Sequence, residues 1–504
     1  MRDMIAQVMD RVVPFIAALP EQRMHTMTGG KKLARWLREP LPEEGAPFDK
    51  LLTLLFSRVI PATLNTASPG YLAYIPGGGL FHAGVAELVT LSVNRYIGLF
   101  QAAPGLVQLE SNVLAWFATM VGMPERSGGL LTTGGSMANL TALVTARRER
   151  LPEDFLSGVI YTSTEAHHSV RKAALIAGFP EKSVREIATD DHFRMIPEAL
   201  ASAVAEDRAA GKTPFFLAAA AGTTNTGAVD DLETLATLAE REHLWFHVDA
   251  AYGGFFLLTE RGRAAMRGIA RADSVTLDPH KGLFLPYGTG CLLVRDRESL
   301  RRAHAVAGSY MPPMETEDDL VDFCEIGPEL SRDARGLRVW LPLKMHGARV
   351  FRAELDEKLD LARHAAEALR AMKEIEIVAE PELSLLAFRV RRPGLDDAAV
   401  DALTRRVLAA VNERQRVFLT GAVVKGRFLI RICILSFRTH RDRVDMALED
   451  VAAAVTSCWG LLPAPLRPLH HRELQRALAV KLQGADVDGQ GGLDPLEDRL
   501  GEQA

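Results

Sequence analysis

The chain places a few polar residues where apolar runs stop, and their types point to one kind of chemistry. In Ser274-Val-Thr-Leu-Asp-Pro-His-Lys-Gly282 a lysine follows a strand-like run and a proline turn. A lysine kept from water loses its charge readily and becomes a nucleophile able to form an imine. In Phe246-His-Val-Asp-Ala-Ala-Tyr-Gly-Gly254, Asp249 ends an apolar run and needs a partner, which a protonated heterocyclic nitrogen would provide. Ala250 and Ala251 leave room beside it for a flat ring. In Thr132-Thr-Gly-Gly-Ser-Met-Ala-Asn-Leu140 glycines lead from a strand into a helix beginning near Ser136, a backbone N–H and hydroxyl site suited to a phosphate. No Gly-Lys-Ser/Thr follows, so it is not a P-loop. In Thr164-Glu-Ala-His-His-Ser-Val170 a histidine after a strand can lie flat on a ring or give a proton. Each feature also has a plain reading: a glycine turn with a serine cap, an ion-paired aspartate, a surface lysine, a helix-start histidine.

Taken together, a phosphate cradle, a ring-nitrogen carboxylate, a stacking imidazole and a buried lysine describe one cofactor, pyridoxal 5'-phosphate. The lysine would hold it as a Schiff base, and the aspartate would keep the pyridine nitrogen protonated so that the ring accepts electrons. Adjacent histidines do not suit a single ion, and no cysteine or carboxylate spacing supports a metal site.

Such residues must be carried on strand ends. Short apolar runs at Gly128–Thr133, Val159–Thr162, Phe215–Ala220, Leu244–Val248, Ser274–Leu277 and Gly290–Val294 read as strands. Helical spacing separates them over Leu106–Met123 (with Leu109, Val113, Trp116 and Met120 on one stripe), Ser136–Arg147, His168–Ile176 and Asp231–Glu242. Alternation of this kind predicts a mostly parallel sheet covered on both faces. Leu341–Leu369 reads as one long helix. Strands at Ile375–Val378, Leu385–Val390 and Phe428–Leu435 with helices at Asp396–Arg414 and Arg441–Thr456 make a smaller α+β unit. The expected division is an N-terminal helical arm with a pocket loop (1–100), a large cofactor domain (101–345), a small C-terminal domain (346–460) and a flexible tail (461–504).

His247-Val-Asp-Ala-Ala-Tyr-Gly-Gly254 with Asp278-Pro-His-Lys281 resembles the group II pyridoxal-phosphate decarboxylases, which include the aromatic-L-amino-acid, tyrosine and glutamate decarboxylases. The likeness runs over roughly residues 45 to 460. It implies the aspartate-aminotransferase fold (fold type I) with a seven-stranded, mostly parallel sheet, and a homodimer with shared active sites. It implies Lys281 as the Schiff-base lysine, Asp249 as the ring-nitrogen partner and His167 as the stacking histidine. Gly135 and Ser136 would bind phosphate with His280 and the Asp278 position, Thr224 would hydrogen-bond around Asp249 and the ring hydroxyl, and Ala251 would face the ring opposite His167. The 69–76 segment with Tyr74 matches a substrate-pocket stretch. Tyr96-Ile97-Gly98 matches one that the partner subunit contributes.

Three positions stay open on the sequence. Asp278 stands where the aromatic-amino-acid and glutamate decarboxylases carry Asn. Counting back from Arg335-Gly-Leu-Arg-Val-Trp340 places Phe323 at a loop position where decarboxylases use a Tyr to protonate the reacting carbon and aldehyde synthases carry Phe. Against that, Phe323 reads equally as a packing residue, with Tyr310 supplying the hydroxyl. Arg431, inside an apolar strand, needs an anion: either a substrate carboxylate or a structural acid. The expectation is therefore decarboxylation of an L-amino acid, possibly aromatic in keeping with Tyr71, Tyr74 and Phe81, to the amine. Oxidative deamination to an aldehyde is the alternative. An aminotransferase reaction or a non-catalytic homologue stands further back.

The rest of the chain sets bounds. With 59 basic against 64 acidic residues among 504, the net charge is −5, which gives no reason to expect nucleic acid or an anionic membrane as partner. At 48% hydrophobic the bulk is not disordered. The four cysteines, none in a C-x-x-C pair, suggest a reducing, cytoplasmic setting. The apolar stretch Val12–Leu19 is too short to span a bilayer. Residues 486–497 match a calcium-loop pattern at several positions, but Gln490 and Pro495 depart from it, and a flexible acidic tail is the better reading.

Overall fold

In a computed structural model of the chain, the structure describes residues 1–25, 29–306, 308–317 and 319–459. The expected tail and its calcium-like loop lie outside the described residues. Residues 1–458 form one compact unit built on two sheets. The larger has seven strands: β1 Gly128–Thr132, β2 Gly158–Ser163, β3 Val184–Ile187, β4 Thr213–Ala220, β5 Trp245–Ala250, β6 Ser274–Leu277 and β7 Gly290–Val294. Their order is β1-β7-β6-β5-β4-β2-β3, and β7 alone runs antiparallel to its neighbours. β2, β6 and β7 are buried at every residue, and β4 over its last six, as a sheet covered on both faces requires.

β3 was not legible as a strand. Its residues Val-Arg-Glu-Ile are half polar because it forms an edge, where one side faces water. The smaller sheet is antiparallel, in the order β10-β11-β9-β8, with β8 Ile375–Ala379, β9 Leu385–Val390, β10 Thr420–Val424 and β11 Arg427–Cys433.

Two sequence expectations change. The long helix is two helices, Gly336–His346 and Ala348–Arg370, broken at Gly347, whose φ of 73° suits a residue without a Cβ. In the helix Pro104–Val121 the buried face is Val107, Glu110, Val113, Leu114, Phe117, Ala118 and Val121, while Trp116 is 38% exposed. The periodicity was right and the phase was wrong, because the face carries a buried acid. Asp231 and Asp396 precede their helices and cap them, accepting from the N–H groups of Thr234 and Ala399. No helix among the described residues is long and apolar enough to cross a membrane.

Candidate active site

The carboxyl ends of β2, β4, β5 and β6 open onto one cavity of about 280 Å³. β5 is registered so that Asp249 lies between Ala220 of β4 and Thr276 of β6. The cavity is lined by Gly135, Ser136, His167, Thr224, Asp249, Ala251, Asp278, His280 and Lys281, together with Asn139, Thr162 and the three alanines Ala218–Ala220.

Lys281 sits on the single helical turn Pro279–Gly282 that follows β6. Three residues of helical rise bring it back over Asp278, whose Oδ2 lies 2.9 Å from Lys281 Nζ. Burial alone would lower the lysine pKa. The nearby Asp278 charge and hydrogen bond outweigh it, so the net shift is upward. His280 Nδ1 lies 2.6 Å from the carbonyl of Thr289, which can only accept, so Nδ1 carries a proton.

Asp249 accepts from the Ala251 N–H at 3.1 Å through Oδ1 and from Asn139 Nδ2 at 2.9 Å through Oδ2. The two donors, one on each oxygen, fix the orientation of the carboxylate. Of the two adjacent histidines, His167 lines the cavity and His168 is exposed, which decides between them. Burial pulls the His167 pKa down, against the opposing pull of Asp249, so its ring is held neutral.

The phosphate-sized end is made by glycines. Gly134 has φ +153°, and Gly290 of β7 packs so tightly on it that a Cβ there would fall 2.5 Å from its backbone. A Cβ on Gly135 would meet Asp278 Oδ2 at 3.1 Å and the Ala251 methyl at 3.2 Å, so a side chain would crowd the cradle. Gly134 precedes the helix Gly135–Arg150 and no side chain caps it. Thr162 Oγ1 and Asp278 Oδ1 are buried without a hydrogen-bond partner, as befits a cavity made for a polar guest.

Other residues named from the sequence lie elsewhere. Phe323 is 2% exposed, in a short turn of helix, with the Arg332 guanidinium 4.5 Å above its ring. It belongs to the core and does not line the cavity, because Arg332 is itself locked to the buried Glu110 at 2.6 Å. Tyr310 is 76% exposed. Ile97 is fully buried in the same core and presents no surface to a substrate. Its neighbours are stitched to the 322–330 stretch through Tyr96 Oη to the Leu330 carbonyl and the Cys324 N–H to the Gly98 carbonyl. Tyr74, with φ 51°, is exposed and outside the cavity lining.

Arg431 also lies outside the lining, and its contacts are to neither of the anions expected for it. It donates to the carbonyls of Asn225, Thr224 and Tyr74 and to the Thr420 hydroxyl. Burial lowers its pKa, and its role is to pin Thr224 against the 69–76 segment. Asn139 was the residue overlooked. The available signal was an amide on the apolar face of its helix, beside the buried Ala138, Ala142 and Leu143.

A lysine on a strand-following turn, an aspartate between strand ends and a glycine-lined helix start define a fold type I pyridoxal-phosphate enzyme. Residues 31–391 match the pyridoxal-dependent decarboxylase conserved domain, and the chain belongs to that family. It is 35% identical over 455 residues to an aromatic-L-amino-acid decarboxylase of Bacillus atrophaeus, covering 90% of this chain and 95% of the relative. It is 29% identical to a phenylacetaldehyde synthase of Petunia hybrida over 83% of this chain and 87% of that one. The crystal structure of Oryza sativa TDC with PLP and tryptamine superposes with a TM-score of 0.85 at 26% identity, covering 90% and 97% of the two chains. The protein is a pyridoxal-phosphate-dependent amino-acid decarboxylase.

Proposed function

We propose that the enzyme removes the α-carboxylate of an aromatic L-amino acid and releases carbon dioxide and the amine. Pyridoxal phosphate, when bound, supplies the sink for the electron pair left on the α-carbon. Lys281 is the amine that holds the cofactor, and Asp278 keeps its ammonium in place when the lysine is free. Asp249, fixed by Ala251 and Asn139, stabilises a proton on the ring nitrogen. His167 and Ala251 cover the ring faces and exclude water, while Gly135, Ser136 and His280 take the phosphate and Thr224 takes the ring hydroxyl.

The amine is favoured over the aldehyde by one observation. The Phe that motivated the oxidative alternative is locked in the core, whereas the Tyr310 hydroxyl is exposed on the neighbouring loop, and we take it as the group that returns a proton to the substrate carbon. The aromatic class rests on the resemblance to the Bacillus atrophaeus enzyme.

We also assign a homodimer and a cytoplasmic setting. The helix Phe81–Val93 leaves Phe81, Val85, Leu88 and Leu91 exposed at helical spacing, an apolar face suited to a second copy of the chain. All four cysteines are free thiols.

The test is a panel of L-tryptophan, L-tyrosine, L-phenylalanine, L-glutamate and L-2,4-diaminobutyrate, with carbon dioxide, amine, aldehyde, peroxide and oxygen followed together. The expected result is equimolar carbon dioxide and amine from an aromatic substrate with no oxygen uptake. Peroxide and aldehyde in place of amine would refute it.

A further inference from the structure

In the cavity wall, one buried amide touches four other side chains. Asn139 is 3% exposed. Its Nδ2 lies 2.8 Å from Ser169 Oγ and 2.9 Å from Asp249 Oδ2. Its Oδ1 lies 2.6 Å from Thr276 Oγ1 and 3.1 Å from His247 Nε2. Every hydrogen-bonding position of the amide is therefore used.

The directions of these bonds can be worked out from one end. As the carboxylate that the proposed role beside the ring nitrogen requires, Asp249 can only accept, so the Asn139 nitrogen faces it and the amide cannot be flipped. Both Nδ2 hydrogens are then committed, and Ser169 Oγ accepts one of them. Ser169 must turn its own hydrogen elsewhere, and His167 Nδ1 stands 2.7 Å away. The Ser169 N–H also points at that nitrogen, at 3.3 Å. His167 Nδ1 is thus an acceptor twice over, and a neutral ring must carry its proton on Nε2. The other branch agrees. Asn139 Oδ1 accepts, so His247 Nε2 is protonated. Its Nδ1 accepts from Ser274, whose oxygen takes the Trp245 N–H. Burial lowers His247 to about 4, so this ring too is neutral near neutral pH.

We propose that Asn139 is the positioning residue that sets the proton arrangement of this site, orienting the Asp249 carboxylate and keeping the His167 proton on Nε2. The inference rests on the assignment of Asp249 and His167 to the cofactor ring. It makes a single amide the link between the ring-nitrogen carboxylate and the histidine over the ring face. Asn139→Asp keeps the shape but sets a second carboxylate against Asp249, so that one of the two must take a proton. The charged and titratable groups around His167 are Asp249, His168, Lys281 and Asp278, and in that variant the new carboxylate acts on them through Asp249.

The test uses protein labelled with ¹⁵N in histidine, with and without pyridoxal phosphate, read by long-range proton–nitrogen correlation. In the wild type, His167 is expected to show a bare Nδ1 and a protonated Nε2 in both forms. Protonated Nδ1 would overturn the proposal without any variant having to fold. In Asn139→Asp, the pH midpoint of the bound-cofactor absorbance should move by about one unit, and kcat should fall about tenfold with KM little changed. An unmoved midpoint would also overturn it. Ser169→Ala removes the hydroxyl that links Asn139 to His167 but keeps the Ser169 backbone N–H, so a share of the His167 rings should move their proton to Nδ1 while that midpoint stays in place. Failure of the wild type to take up pyridoxal phosphate would instead count against the proposed function, and the cofactor-free tautomer would still decide the role of Asn139.

Discussion

The cofactor cradle and the loop segment 305–330 belong to one chain but are specified differently. In the cradle each functional group sits where a strand ends, so the strand register alone sets its neighbours: Ala220, Asp249 and Thr276 lie side by side because β4, β5 and β6 are parallel and in step. In the loop segment, position is set by distant anchors. Asp322 takes the Phe100 N–H, and just past the segment Arg332 reaches Glu110 and the Leu131 carbonyl while the Gly336 N–H reaches the other oxygen of Glu110. Chemistry placed on strand ends can be read from short motifs. Chemistry placed on a loop depends on pairs more than two hundred residues apart.

Substitutions can break that contrast from either side. The largest effect is expected at Lys281→Ala, which should abolish the visible absorbance of the lysine-bound cofactor and lower kcat by about 10⁴-fold or more. An unchanged spectrum would remove Lys281 from the site. Next is Glu110→Gln, which leaves the Arg332 charge buried and alone and should cost roughly 3–5 kcal/mol of stability in a denaturation experiment. The purified variant should still take up pyridoxal phosphate, since no cavity-lining residue is altered.

Tyr310→Phe and Phe323→Tyr test the loop assignment as a pair. If Tyr310 supplies the proton, its loss should lower amine formation by about 10²-fold, with aldehyde and peroxide appearing in its place. Phe323→Tyr puts a hydroxyl into the core and should destabilise by about 1–3 kcal/mol without changing the product. A product change at Phe323 and none at Tyr310 would reverse the assignment.

How far the sequence carried depended on the same distinction. Lys281, Asp249, His167 and the Gly134–Ser136 turn, picked out in the sequence as polar or glycine residues closing apolar runs, line one cavity in the structure. Six strands of the large sheet were readable as apolar runs, whereas β3 was not, since an edge strand keeps polar residues. β10, Thr-Gly-Ala-Val-Val, is short and weakly patterned, and its pairing with β11 is what makes it a strand. For Phe323 and Ile97 the sequence shows that they are apolar and not which surface they meet, and within one chain both are buried in the core. Arg431 was rightly read as buried, but backbone carbonyls, which no side-chain pattern reveals, satisfy it.

A further effect, with no change to the sequence, is a pH slope. Burial lowers both His247 and His304 to about 4, below the ordinary value of about 6.5. Between those values the unfolded chain binds more protons than the folded one. Stability should therefore be full above pH 6.5 and fall as pH drops toward 4, by about 1.4 kcal/mol per pH unit for each histidine. Asp230, held up to about 6 by burial, binds a proton in the folded state below that pH and makes the net slope shallower. Urea unfolding at half-unit pH steps measures it, and a flat profile over this window would contradict the buried neutral histidines.

The most direct test of the cradle is borohydride reduction of the cofactor-loaded enzyme followed by peptide mass analysis. The account predicts the reduced cofactor on the peptide carrying Lys281 and on no other. The same mass on a different lysine, or on none, would contradict it.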